Sequence, residues 1–141
     1  MTTSFWDYGR YLGTLFYDFA KATLNRLAFA LAEELRPHGV ASVALSPGWM
    51  RTEIILAAYK TDETRWRDVP AWARTESTRY AGRAVVALAT DSRVMARTGQ
   101  VLRVGDLAAE YGFTDVDGRR VPPFELPPAV PTPGERAGVG D

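Results

Sequence analysis

The sequence predicts an α/β fold in which parallel strands are joined by crossover helices. Three observations predict it. A long helical pattern runs from Thr14 to Arg36, two short apolar runs have the character of buried strands, and helix and strand alternate along the chain. With 141 residues, 46% hydrophobic and 24% charged, the chain is one domain or part of one, long enough for a core.

The first helix is read from Phe16, Ala20, Leu24, Leu27, Ala28, Leu31 and Leu35, which recur at three- and four-residue spacing. Ala22, Phe29, Ala30 and Ala32 add apolar or small surface around much of the rest of its circumference. A helix apolar on two sides is expected to be buried on two sides, against a sheet and against a second surface such as another subunit. Pro37 and Gly39 supply the stop signal. Residues Val40 to Leu45 then read as a short buried strand, ended by Ser46-Pro47-Gly48. Glu53 to Tyr59 reads as a short helix opened by Thr52. From Lys60 to Arg74 the chain is polar but carries Trp66, Pro70 and Trp72, which suits a lid or pocket wall and equally suits packing onto the domain. Ser77 to Ala89 forms the next helix, with Ala81, Val85, Leu88 and Ala89 as its expected buried stripe, and Gln100 to Val104 follows Thr98-Gly99 as the last strand. After Gly105 the pattern dissolves. Six of the nine prolines lie between Pro122 and Pro133, so residues 107–141 are expected to be extended or disordered, and residues 1–106 to form the folded part.

Composition narrows the chemistry. Seventeen basic and seventeen acidic residues cancel, which removes the electrostatic case for nucleic acid or a membrane surface. There are no cysteines, so disulfides, thiolate nucleophiles and cysteine-bound metal are excluded. His38 is the only histidine and lies in a helix-ending turn, Arg36-Pro37-His38-Gly39, which leaves no histidine-based metal site or serine–histidine triad to propose. No run is long and apolar enough to span a bilayer, and no signal-peptide pattern opens the chain; a cytoplasmic location is the default expectation.

One pair stands out against this background. Tyr17 and Lys21 are four residues apart, on one face of the first helix. Free tyrosine titrates at about 10, too high for a general base near neutrality, and an adjacent cation favours the tyrosinate. A phenol beside an ammonium can therefore exchange protons at neutral pH. Lysine is scarce, with Lys21 and Lys60 the only two. On spacing alone the pair is read equally well as an exposed helix-surface contact.

The surrounding residues add a pattern. Ser4 lies thirteen residues before Tyr17, Pro47-Gly48 is followed by Thr52, and Thr98-Gly99-Gln100-Val101-Leu102 opens the last strand. In this order and at these spacings the chain, from about Thr2 to Gly105, resembles the C-terminal half of a short-chain dehydrogenase/reductase. The resemblance implies the C-terminal part of a Rossmann-like doubly wound parallel sheet. The stretches Ala32 to Val40 and Glu110 to Arg120 further resemble the member 1-like branch of the dehydrogenase/reductase group.

What the resemblance implies for the residues is specific. Tyr17 would exchange a proton with the substrate's carbonyl or hydroxyl oxygen, Lys21 would assist it and bond the nicotinamide ribose, and Ser4 would hold the same substrate oxygen. Pro47, Gly48 and Thr52 would line the nicotinamide end of an NAD or NADP site. Trp6, Tyr11 and Trp49 are expected to line the substrate pocket. The substrate would be a small carbonyl compound or secondary alcohol, and the Thr14–Arg36 helix would serve a homo-oligomer. The family's glycine-rich strand–helix unit has no counterpart in this sequence, since Gly9 and Gly13 lie between Ser4 and the helix. The chain by itself is therefore expected to bind the cofactor poorly. The alternative expectation is a truncated, inactive member that acts through association of the helix with another chain.

Overall fold

The two strand-like runs pair as the alternation requires. The computed structural model describes residues 14–125. In chain order it contains α1 (Leu15–Leu35), β1 (Ala44–Ser46), α2 (Glu53–Ala58), α3 (Thr78–Thr90), β2 (Val101–Arg103) and α4 (Val104–Tyr111), with short 3-10 turns between them. β1 and β2 are parallel, with Ala44 opposite Val101, Leu45 opposite Leu102 and Ser46 opposite Arg103. A parallel pair needs a crossover, and α2 and α3 provide it. β1 begins later than the apolar run from Val40, because a strand exists only where a neighbour accepts its ladder. Ahead of it, Gly99 N–H donates to the Ser42 carbonyl at 2.7 Å, Ser42 N–H donates to Thr98 Oγ1 at 2.9 Å, and Ala44 N–H donates to the Gln100 carbonyl at 3.0 Å.

The core gathers on one side of this sheet, from Leu45, Leu102, Tyr80, Ala81, Ala84, Leu88, Val104, Leu107, Ala108 and Val121. The α3 stripe differs from the one expected. Ala81 and Leu88 are buried, but Val85 and Ala89 are exposed, and Tyr80 and Ala84 take their places. Tyr80 sets this rotation. Its ring packs edge-on to Phe113 at 5.3 Å, and its hydroxyl donates to the Val121 carbonyl at 2.9 Å. Burial pushes the Tyr80 phenol up to about 12, so it remains a hydrogen-bond donor throughout the neutral range.

The segment after Gly105 corrects the expectation of an extended tail over residues 107–141. Helix α4 follows β2 with no intervening loop, burying Val104, Leu107 and Ala108 at helical spacing. It closes at Gly112, whose φ of 77° is the left-handed cap conformation. The chain then folds back, burying Asp115 and Val121, and crosses directly over α4 at Pro122 and Pro123. Residues 126–141 lie outside the described residues. The return crossing explains Gly105: a Cβ there would stand 2.2 Å from Pro123 N and 2.5 Å from Pro122 C. Gly105→Ala is expected to cost about 3 kcal/mol, by forcing the strap off the helix. Urea unfolding of the two chains measures it, and a loss below about 0.5 kcal/mol, ordinary for a neutral surface change, contradicts the packing argument.

Helix α1 is buried along one stripe only, Asn25, Ala28 and Ala32, rather than on two sides. A sheet of two three-residue strands is too narrow to cover more. Leu15, Phe16, Phe19, Leu27, Phe29 and Leu31 are all exposed, Phe16 by 86%. Among the described residues no helix is long and apolar enough to cross a membrane.

Candidate functional site

A parallel sheet presents its ligand-binding loops at the carboxyl ends of its strands. Pro47 and Gly48 follow β1 directly and so occupy that edge. Helix α1 packs against β1. Ala32, near its C-terminal end, lies 3.4 Å from the Cβ position of Gly99, just before β2 begins. Tyr17 is fifteen residues earlier, about 22 Å back along the helix at 1.5 Å per residue. The first turns of α1 therefore lie well away from the Ala32–Gly99 contact.

Tyr17 and Lys21 share a face, as their spacing requires. The Lys21 ammonium stands over the Tyr17 ring, 5.4 Å from its centroid, and the tyrosine is half exposed. The cation thus meets the π face of the phenol. Ser4, Trp6 and Tyr11 lie outside the described residues.

The Pro47–Thr52 turn is held from within. Thr52 caps α2, its Oγ1 accepting from Ile55 N–H at 3.4 Å, so one lone pair of that hydroxyl is already used structurally. Trp49 packs in a three-ring cluster of edge-on and tilted contacts, 5.8 Å from Tyr59 and 5.9 Å from Trp72, while Tyr59 and Trp72 are 5.0 Å apart. This packing explains the aromatics of the Lys60–Arg74 stretch: Trp72 and Trp66 anchor it to the domain, and both are buried.

Beneath the turn lies a group of buried charges that the motifs did not single out. Arg51, within the Pro47–Thr52 segment itself, is fully covered and donates through Nη1 to the Thr75 carbonyl at 2.9 Å and Thr75 Oγ1 at 3.1 Å. It pairs with Asp115 at 3.6 Å and Glu63 at 3.5 Å. Asp115 accepts from Ser77 N–H at 2.8 Å and from the Ser77 hydroxyl. The Trp66 ring carries three guanidinium groups, Arg51 at 4.0 Å and Arg67 and Arg119 each at 4.7 Å. Arg119 also donates to the Thr75 carbonyl at 3.1 Å, tying the returning tail to the same loop. Glu76 is buried with no hydrogen bond to either carboxyl oxygen among the described residues. Its carboxyl is pushed up to about 7, chiefly by burial and further by Asp115, against the opposing pull of the Gly48 N–H and Arg51. Arg51 was the legible clue here, a charge inside an otherwise apolar turn motif. Asp115 and Glu76 join it only through the return of the tail.

The structure also gives Gly48 its own reason to be glycine. A Cβ there would meet Glu76 Oε2 at 2.9 Å, independent of any ligand. Pro47 and Gly48, at the carboxyl edge of β1, are half-buried. No glycine-rich turn opening a helix is present among the described residues to receive the pyrophosphate. Two concavities among the described residues lie elsewhere. One of about 350 Å³ runs along β2 and α4, and another of about 440 Å³ lies between α3 and α4. Neither includes Tyr17 or the Pro47–Thr52 turn.

Comparison with known proteins converges on one group. Residues 3–106 match the family described as Enoyl-(Acyl carrier protein) reductase. The chain is 39% identical over 117 residues to human dehydrogenase/reductase SDR family member 1, covering 79% of this chain and 37% of that protein. It is 40% identical over 110 residues to the mouse protein of the same name, covering 74% and 35%. Among solved structures, a short chain dehydrogenase of Mycobacterium thermoresistibile superposes with a TM-score of 0.62 at 26% identity, over 89% of this chain and 42% of that one. The chain thus spans little more than a third of the length of its curated relatives.

Proposed function

Because the chain belongs to the short-chain dehydrogenase/reductase family, we propose that it contributes the proton-transfer half of an NAD(P)-dependent oxidoreductase acting on a carbonyl or secondary alcohol. The observation that supports this reading is the Tyr17–Lys21 pair on the first turns of α1, with the ammonium over the phenol ring, in a chain where Pro47 and Gly48 directly follow β1. In the reducing direction the Tyr17 hydroxyl gives its proton to the substrate oxygen; in the oxidising direction it takes one. Lys21 supports that hydroxyl and holds the nicotinamide ribose. Ser4 bonds the substrate oxygen and steadies its developing charge. Pro47 and Gly48 present backbone to the nicotinamide, and Thr52 bonds its carboxamide or a phosphate through the lone pair that the cap leaves. Trp49, with Trp6 and Tyr11, walls the substrate pocket. The bound cofactor supplies the hydride acceptor or donor.

NADH or NADPH oxidation in the presence of ketones and aldehydes tests the reading directly. Carbonyl-dependent oxidation supports it. A protein that binds cofactor yet oxidises it with none of the carbonyls overturns it. The chain alone is expected to bind either cofactor too weakly to saturate in the micromolar range; a fluorescence titration that does saturate there contradicts that expectation.

A second reading has its own observation. The exposed apolar residues of α1, with Phe16 and Phe19 exposed by 86% and 69%, form a face that a soluble monomer rarely leaves in water. Here the chain acts without independent catalysis by docking that helix on another chain, a second copy included. Sedimentation of the purified chain decides it. A monomer at tens of micromolar removes the homo-oligomeric form of this reading.

A further inference from the structure

The oxidoreductase reading assigns nothing to Glu76, although this residue supports the turn that reading depends on. Glu76 is 1% exposed. Its backbone is joined to the turn on both sides: Glu76 N–H donates to the Trp49 carbonyl at 3.0 Å, and Arg51 N–H donates to the Glu76 carbonyl at 2.8 Å. Its side chain reaches back under Gly48, with Oε2 2.9 Å from the position of a Gly48 Cβ. Neither oxygen has a hydrogen bond among the described residues. An ionised carboxylate left dry in this way is costly.

The charged and titratable groups around Glu76 relieve that cost only in part. Arg51, from the turn, is committed to Thr75, Asp115 and Glu63. Asp115, from the segment after α4, carries the same sign as an ionised Glu76 and raises its affinity for a proton. Tyr80, from α3, has its hydroxyl on the Val121 carbonyl. The Gly48 N–H approaches the Glu76 carboxyl and favours its charged form.

We propose that Glu76 is a positioning residue for the Pro47–Thr52 turn: its neutral carboxyl props Gly48 in the conformation seen here, and its ionisation draws the Gly48 N–H onto the carboxylate and reshapes the turn. The sign follows from linkage. The folded-state carboxyl sits at about 7 against an ordinary value of 4.5, so the folded chain holds an extra proton between those values. The propped conformation is complete at the acidic end of that window and is lost as pH rises through about 7. That the turn faces a nicotinamide rests on the oxidoreductase reading; the coupling of Glu76 to Gly48 does not.

The sequence contains two Pro-Gly dipeptides, Pro47–Gly48 and Pro133–Gly134. Carbonyl-labelled proline combined with nitrogen-labelled glycine therefore gives two amide signals in the full chain, and Gly134→Ala identifies which is Gly48. In the parent chain the Gly48 signal is expected to move with a midpoint near 7. In Glu76→Gln, a neutral isostere, it is expected to stay at the low-pH position throughout, whereas in Glu76→Ala it is displaced at every pH. A Gly48 signal that does not titrate in the parent, or titrates equally in Glu76→Gln, overturns the proposal. Failure of a cofactor-bound protein to oxidise NADH or NADPH with any carbonyl, with the Gly48 titration intact, removes the oxidoreductase reading and leaves the coupling in place.

Discussion

In a protein that joins this chain to a cofactor-binding half, replacing Tyr17 by phenylalanine is expected to lower carbonyl-dependent turnover by about 10²–10⁴-fold, the usual contribution of a positioned general acid or base. The ring, its place on α1 and its contact with Lys21 all survive the change, since the ammonium meets the ring face at 5.4 Å. Only the hydroxyl is lost. Because the side chain is half exposed, unfolding free energy is expected to stay within about 0.5 kcal/mol of the parent. Cofactor affinity is likewise expected to hold. The signature is therefore a loss of kcat at constant Kd and constant stability, read by steady-state assay, cofactor titration and urea unfolding together. Turnover within a factor of a few of the parent sinks the role given to Tyr17 while leaving the fold assignment intact.

Asp115→Ala is expected to remove about 3–5 kcal/mol of stability, the cost of leaving one partner of a buried ion pair uncompensated. The Asp115 side chain is fully covered and receives the Ser77 N–H, the Ser77 hydroxyl and the Val116 N–H while facing Arg51. Truncation leaves Arg51 with only the half-exposed Glu63 and the Thr75 oxygens. Domains of this size are stable by only about 5–15 kcal/mol, so the variant stands close to unfolding. Asp115→Asn keeps acceptor oxygen for Ser77 but loses the charge, and is expected to fall between the two. Denaturant midpoints followed by far-ultraviolet circular dichroism rank the three chains. A loss below about 1 kcal/mol for the alanine variant shows that Arg51 does not depend on Asp115.

Much of the fold was legible because it is local. The spacing of Phe16 through Leu35 marked α1, Pro37 and Gly39 marked its end, and Thr52 marked the start of α2, each within a residue or two of the observed boundary. Helix α4 was missed for a physical reason. Val104, Leu107 and Ala108 have helical spacing, but the helix follows β2 without a break and is only eight residues long. It is stabilised by the distant Val121 and the strap at Pro122 and Pro123 rather than by its own propensity. The α3 stripe was misjudged because Tyr80 answers to Val121 and Phe113, which are far away in sequence.

The candidate site divides along the same line. Tyr17 and Lys21 are legible from helical spacing, and Pro47, Gly48 and Thr52 from the family resemblance of their order and spacing. Their order and spacing carried the family resemblance that the comparisons bear out. Only the tertiary structure decided that Gly48 rests on Glu76, that Arg51 is buried against Asp115, and that Lys21 lies over the Tyr17 ring. Burial and long-range pairing set the energy of a charge, and neither is a property of neighbours along the chain. Sequence periodicity can place a side chain on a face; the elements packed against that face determine its surroundings and, for Glu76, how tightly it holds its proton.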